Sequence, residues 1–321
     1  MKVLFVVDPL PTLQAQVDST VGLMLATQEL GVEVWVCGPE RLAVVGGRLT
    51  AAATQIRLRP VSRVGDHRWV IEPHWWDELD SATLDVAAEV AVVQLRIDPP
   101  VDARYLHTTY LLDLAEAAGV RVVNRPEGVR ALHEKIVALH HPELGPETVV
   151  SADPQALRAF VRRTGAAVVK PVDGFAGIGV WLVRDDHAAT ALLESATGGG
   201  TRHAIAQSYL PEVENGNKRL FLLDGEVVGA VLRRPAGDDF RIGPPVAAAE
   251  LDADDLRIVA TLAPTLVRHG IVLAGIDVIA GRLIEVNVTC PGGMHKTDAL
   301  LGTDLSGAVM RRLLDHERVL R

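Results

Sequence analysis

Ile276-Asp277-Val278-Ile279, a short turn at Ala280-Gly281, and Leu283-Ile284-Glu285-Val286-Asn287 form the stretch that decides how this chain is read. Both runs are apolar and β-type, yet they carry Asp277, Glu285 and Asn287 where a core strand would place only hydrocarbon. Period-two geometry puts Glu285 and Asn287 on one face, and a hairpin with an odd-length loop around Ala280-Gly281 sets Asp277 opposite Glu285. Three hard oxygen donors then converge. Two carboxylates that close repel unless a cation lies between them, and an oxygen-only set suits Mg²⁺ held jointly with a phosphate. A polar row on a half-buried hairpin is the other reading, and this segment alone does not separate the two.

A second stretch bears on the choice. Ala167-Val168-Val169-Lys170-Pro171-Val172-Asp173-Gly174-Phe175-Ala176-Gly177-Ile178-Gly179-Val180 reads as a strand ending in a lysine, a glycine-rich loop, and a strand from about Val180 to Val183. Glycines at 174, 177 and 179 permit positive φ and close backbone approach, so consecutive N–H groups can face a phosphate. The spacing is not that of a Walker loop, and the loop joins strand to strand rather than strand to helix. Taken alone, such a hairpin is more often structural than phosphate-binding.

Composition bounds the rest. The 321 residues suggest about two domains, and an apolar fraction of 48% suffices for packed cores. A net charge of −9 without a long basic run argues against nucleic acid as the main partner. No apolar run is long enough to span a membrane, and the amino terminus passes straight from Met1-Lys2-Val3-Leu4-Phe5 to Asp8, unlike a signal peptide. Two cysteines, Cys37 and Cys290, make no disulfide framework, so a reducing cytoplasm is expected. Lysine is scarce, five residues against 27 arginines, so Lys135, Lys170, Lys218 and Lys296 stand out.

The first third reads as α/β: strands Val3 to Val7 and Val32 to Cys37 around a helix capped at Asp18-Ser19-Thr20, an irregular stretch over roughly 40–80, and a strand from Ala91 to Leu95. Leu106, Tyr110, Leu114 and Ala117 recur at helical spacing before the strand Val120 to Val123, which completes a doubly wound domain through about residue 125. Pro126-Glu127 should open a helix carrying His133, Glu134 and Lys135. Asp224-Gly225 marks a type I′ hairpin, and a helix from about 254 to 269 should bury Leu256, Val259, Ala263 and Leu266. Pro235 to Glu250 is the long non-regular stretch.

The order of these parts is recognisable. With Val7-Asp8-Pro9, Arg96-Ile97-Asp98-Pro99-Pro100, Val123-Asn124-Arg125-Pro126, His133-Glu134-Lys135, Lys170-Pro171-Val172-Asp173-Gly174, Ala206-Gln207-Ser208-Tyr209-Leu210-Pro211 and Glu285-Val286-Asn287-Val288-Thr289, the chain resembles the ATP-grasp superfamily. Within that superfamily it is similar to bacterial glutathione synthetase, over nearly its whole length. The resemblance implies an α/β (α+β) fold: a doubly wound domain over 1–125 and an ATP-grasp domain over 126–321, whose halves meet near residue 210. It implies that Lys135 and Lys170 bind ATP phosphates, that Gly174 to Gly179, with Gly177, closes as a lid, and that Gln207 and the backbone of Tyr209 and Leu210 read adenine. Asn217 stands where the family has a ribose-binding carboxylate, with Glu214 or a weaker amide contact as the substitute. Asp277, Glu285 and Asn287 would carry Mg²⁺ (Mn²⁺ is the other candidate), and Arg219, Arg233 or Arg234, and Arg241 would face the transferring phosphoryl group. Arg96, Asp18 and Lys296 fall on the substrate side.

Departures cluster elsewhere. The loop holding Arg241 lacks the family's paired glycines, and after Thr289 the run Cys290-Pro291-Gly292-Gly293-Met294-His295-Lys296-Thr297 replaces the segment that meets the thiol peptide. The expected activity is therefore an ATP-dependent carboxylate–amine ligase acting through an acyl phosphate, with γ-glutamylcysteine and glycine as leading substrates. A ligase or cyclising enzyme for another amino-acid-like substrate is the alternative, and a non-catalytic ATP-binding regulator the second. Small amino acids or peptides, no nucleic acid and no membrane are the expected partners, and a homo-oligomer is compatible with them.

Overall fold

A computed structural model of the chain describes residues 1–63, 67–174, 177–235, 237 and 239–319. The expected strand Val3 to Val7 is Lys2–Val7, and it lies in a seven-stranded sheet between Glu33–Cys37 and Val90–Arg96, with Arg121–Val123 beyond the latter. These pairings are parallel, as crossover helices require, and Val3 to Val6 are wholly buried because both faces are covered. The crossover helix Ser19–Glu29 starts at Asp18, whose carboxylate accepts from the Thr20 N–H at 2.7 Å.

The stretch expected to be irregular is not. Arg48–Leu58 and Trp76–Asp85 form a long antiparallel ribbon on the edge of this sheet. Its outer strand is exposed over most of its length, so it carries no alternating apolar signal. Trp75 packs in the core with its ring 4.8 Å from that of Trp76.

Two further sheets are antiparallel. One runs Thr148–Ser151, Ala204–Ser208, Ala166–Pro171, Trp181–Arg184, and its apolar core is confined to residues between Val149 and Ala206. The other runs Ile242–Ala248, Glu226–Pro235, Asn217–Leu223, Leu273–Ile279, Arg282–Asn287. Its Leu220, Leu222, Ile276 and Val278 share a core with the first sheet and with the helix Ala253–Arg268. Thus the stretch expected to be non-regular over 235–250 contains a paired strand, Ile242–Ala248.

Three helical expectations need correction. The helix opened by Pro126 ends at Ala131, so Lys135 stands in a turn rather than on a helix. The helix Ala103–Ala117 buries Tyr105, Thr108, Thr109, Leu112 and Ala115, while Tyr110 and Leu114 face outward. Ala253–Arg268 buries Asp255, Ile258, Leu262 and Leu266 and leaves Leu256 exposed. Among the described residues, no helix is long and apolar enough to cross a membrane.

Candidate active site

A cleft of about 1030 Å³ opens between the three sheets, and most of the residues singled out above line it. On the catalytic sheet, Asp277 does lie opposite Glu285, but the device differs from the one expected. The turn is a two-residue one, with Ala280 at φ 47° and Gly281 at φ 70°, which would put the register out by one. A bulge at Ile284 restores it: Val278 pairs with Leu283, and Asp277 with Glu285. Ile284 and Glu285 therefore both reach the cleft, while Leu283 and Val286 point to the core.

Period-two geometry on Asn217–Leu223 turns Asn217 and Arg219 into the same cleft and sends Lys218 to the other side, where it pairs with Asp255 at 2.6 Å. Arg219 crosses Gly275 so closely that a Cβ there would meet its Cδ and Nη1 at 3.2 Å. That path ends on Asp277. Arg219 Nε donates to Oδ1 at 2.6 Å and Nη2 to Oδ2 at 2.8 Å, and Arg233 Nη2 donates to the same Oδ1 at 2.5 Å. The repulsion expected between two bare carboxylates is absent, because Asp277 is held by these arginines and Glu285 by Lys135 at 3.0 Å. Burial alone would raise the Asp277 carboxyl, yet Arg219 and Arg233 outweigh it and hold the group below the ordinary carboxylate value. Burial pushes Arg233 down to about 10 despite Asp277, with Arg219 adding to the fall.

Asn287 donates to the Gly275 carbonyl at 3.1 Å from the cleft face of its strand. Among the described residues no three His, Cys, Asp or Glu side chains gather around one point. The donor set Asp277, Glu285 and Asn287 is oxygen-only, which fits a hard divalent cation completing its shell with phosphate and water.

Lys170 ends its strand in the cleft and donates to Gln207 Oε1 at 3.3 Å; burial and then Lys135 lower its pKa, against Glu285 and Asp277. Lys135 also donates to the Gly174 carbonyl at the base of the glycine loop. Of that loop, residues 175–176 lie outside the described residues; a Cβ at Gly177 would stand 3.7 Å from Arg241, so the two loops meet over the cleft. Arg241, itself exposed, pairs with Asp239 at 2.7 Å. The Tyr209 N–H is committed to the Ala166 carbonyl at 3.1 Å, while Tyr209 and Leu210 both line the cleft. Asn217 is buried with its amide oxygen bonded by Arg233 Nε at 3.1 Å. Glu214 is exposed and Arg234 projects from the far face of its strand; neither lines the cleft.

At the other end lie Arg96, Asp18 and Lys296. Arg96 is buried and bonds Thr20 Oγ1 at 3.2 Å and the Pro291 carbonyl at 3.3 Å. Cys290 is raised by burial above the ordinary thiol value, opposed by Arg96, and shares a hydrogen bond with Asp98. Lys296 is half-buried and lowered by burial and by Arg233, with Asp18 opposing.

Two buried polar residues that the sequence reading left without a role hold this arrangement together. Asn124 donates to the carbonyls of Leu273 and Val288, both at 2.7 Å, and accepts from Val272 and Leu273 N–H, both at 2.9 Å. Glu134 accepts from Val288 N–H at 3.2 Å and from Thr289 N–H at 3.0 Å, which fixes Lys135 beside Glu285. The available signal was weak: Asn124 directly follows the apolar run Val120 to Val123, and Glu134 directly precedes Lys135.

The comparisons agree with this geometry. Models of the N-terminal and ATP-grasp domains of prokaryotic glutathione synthetase match residues 1–130 and 134–302. The chain is similar to the glutathione synthetase of Thermosynechococcus vestitus, 42% identical over 97% of this chain and 98% of that one. It is 33% identical to that of Shewanella oneidensis over 96% of each. Among solved structures it shares its fold with D-cycloserine synthetase DcsG (TM-score 0.63, 17% identity, all of both chains). It likewise shares it with the ATP-grasp ligase PsnB bound to a minimal precursor, Mg and ADP (TM-score 0.64, 17% identity, 98% and 97%). With both domain models matched in order along a chain whose cleft gathers Lys135, Lys170, Arg219, Asp277 and Glu285, this protein belongs to the prokaryotic glutathione synthetase family.

Proposed function

We propose that this ATP-dependent C–N ligase joins the cysteinyl carboxylate of γ-glutamylcysteine to the amine of glycine, in the cytoplasm, with Mg²⁺ as the working cation. The observation that carries the reading is the Arg219–Asp277–Arg233 cluster beside the Lys135–Glu285 pair in a single cleft. Two guanidiniums share one carboxylate there, which leaves net positive charge for an anion that arrives with the substrate.

Lys135 and Lys170 bind the phosphate chain from two sides, and the backbone of Tyr209 and Leu210, both on the cleft wall, reads the purine edge. A bound divalent cation, held by Asp277, Glu285 and Asn287, supplies charge neutralisation on the phosphates. A substrate carboxylate oxygen attacks the γ-phosphorus, the bond to ADP breaks, and an acyl phosphate forms. The acceptor amine then attacks the acyl carbon, the C–O bond to phosphate breaks, and the amine loses its proton. Arg219 and Arg233 bind the oxygens on which charge accumulates in both steps. The loops around Gly177 and Arg241 meet over the cleft and keep water from the acyl phosphate.

A second reading keeps the chemistry and changes the substrate. Cys290, Gly292, Gly293 and Lys296, all in the departing segment, line the substrate end, so a different amino-acid pair fits the same machinery. The test is ADP release over a panel of carboxylates and amines. Turnover with γ-glutamylcysteine and glycine at millimolar concentration supports the first reading; turnover only with other pairs replaces it with the second. ATP binding without turnover for any pair would leave a regulator.

A further inference from the structure

Outside the nucleotide and phosphoryl machinery, one contact ties a surface hairpin to the substrate end of the cleft. The short hairpin of Ser62–Arg63 with Trp69–Val70 lies against the first turn of the helix Met294–Leu301. Trp69 stacks on His295 with ring centroids 4.9 Å apart and planes 13° from parallel. Its indole N–H donates to the His295 carbonyl at 2.8 Å, and its backbone N–H donates to the Gln16 carbonyl at 3.0 Å. The imidazole is gripped from the remaining sides. It lies beside the Ala15 backbone, its Nε2 is buried without a hydrogen-bond partner among the described residues, and a Cβ on Gly22 would come within 2.8 Å of its Nδ1, so the helix Ser19–Glu29 fits it only because residue 22 is glycine. The adjoining Met294 N–H donates to Ser19 Oγ at 3.0 Å.

Lys296 is the next residue. Its backbone is fixed by the grip on His295, its side chain enters the cleft, and among the described residues it has no ion-pair partner. Arg68, next to Trp69 and exposed, adds positive charge at Lys296, as do Arg219 and Arg233. Gathered cations of this kind, with Asp18 as the opposing carboxylate, favour a further anion. The reacting carboxylate is handled at Arg219 and Arg233, so an anion here is a second one.

We propose that Trp69 is a positioning residue: by stacking on His295 it holds Lys296 as the anchor for a substrate carboxylate that does not itself react. This deepens the ligase reading and rests on it. The carboxylate belongs to the donor or to the acceptor, and analogues lacking it separate the two: 4-aminobutanoyl-cysteine in place of γ-glutamylcysteine, and glycinamide in place of glycine.

The experiment compares wild type, Trp69→Ala, Trp69→Phe and Lys296→Met for KM of each substrate, KM of ATP, kcat and melting temperature. Trp69→Ala and Lys296→Met should raise the KM of one amino-acid substrate about ten-fold, leaving KM for ATP and kcat within two-fold. Trp69→Phe, which keeps the stack and loses the N–H, should recover most of that affinity. With the analogue that lacks the anchored carboxylate, neither Trp69→Ala nor Lys296→Met should cost anything further. Equal losses with substrate and analogue, a parallel rise in KM for ATP, or an unchanged KM in Lys296→Met would overturn the proposal. Wild-type ADP release over the substrate panel judges the ligase reading separately, and the variants are compared on whichever pair wild type uses, with and without its non-reacting carboxylate.

Discussion

Arg219 and Asp277 face each other across paired strands and close a two-point ion pair, Nε to Oδ1 at 2.6 Å and Nη2 to Oδ2 at 2.8 Å. Arg233 enters from the next strand onto an oxygen already in use, and the two guanidiniums respond oppositely: Arg219 is raised overall, whereas burial takes Arg233 down to about 10. Asp277 thus satisfies Arg219 and leaves Arg233 under-compensated. On the proposed mechanism a transferring phosphoryl group would supply the missing charge, an anion present only during the reaction.

Replacing Asp277 by Asn should therefore weaken the fold as well as the reaction. The side chain is 10% exposed, and loss of its charge leaves the buried Arg219 and the partly buried Arg233 facing an amide. Breaking a buried pair in this way costs about 3–5 kcal/mol. A urea midpoint equal to that of wild type would contradict this, whatever happens to turnover.

Glu285→Gln should behave differently. Its carboxylate is 20% exposed and pairs with a single cation, Lys135, so stability should fall by less than in Asp277→Asn while turnover drops at least ten-fold. Removing the charge also frees Lys135 for phosphate, so nucleotide without divalent cation should bind several-fold more tightly than to wild type. Calorimetry with ATP in excess chelator measures this, and weaker binding than wild type would refute it.

Local signals carried the Asp224-Gly225 hairpin and the Asp18 cap, because each is set within a few residues, whereas Asp277 and Glu285 oppose each other through a bulge at Ile284 and not through the odd-length loop expected. What was misread depended on partners far along the chain. The helix Ala253–Arg268 offers two apolar stripes, and the one bearing Ile258 and Leu262 faces inward because Asp255 in its capping box bonds Lys218, 37 residues away. Tyr110, on the apolar stripe that marks the helix Ala103–Ala117, faces outward, where Arg130 covers it at 4.8 Å from the ring. Lys135 was placed on a helix; the chain leaves the helix at Ala131 so that Glu134 can reach Thr289, 155 residues on.

Asn124 tests one such distant link. All four hydrogen bonds of its amide are made inside the protein, to the strands that carry Asp277 and Glu285. Asn124→Ala strands two carbonyls and two N–H groups in a buried site, at a cost of about 3 kcal/mol or more. Because the same bonds set the spacing of the catalytic strands, kcat should fall even where the variant is fully folded. Turnover unchanged under folding conditions would show that Asn124 matters to stability alone.

His295 predicts a pH dependence with a definite sign. Burial lowers its imidazole from 6.5 to about 4, with the bond to Ala15 opposing the fall, so the folded protein holds it neutral. Between those two values the unfolded chain binds the proton and the folded chain does not, so stability rises with pH across that window and falls on acidification. From pH 7 to pH 5 the loss attributable to this residue is about 2 kcal/mol, by the usual 1.36 kcal/mol per pKa unit. The imidazole lies against Trp69, Ala15, Gly22 and Ser306, so protonating it places a charge among a ring, a carbonyl and a hydroxyl. His295→Gln loses the stack on Trp69 and cannot titrate, so it should be less stable than wild type at pH 7 but lose correspondingly less on going to pH 5. Denaturant unfolding of both proteins at the two pH values decides it: equal losses in wild type and variant would remove His295 as the source of the acid sensitivity.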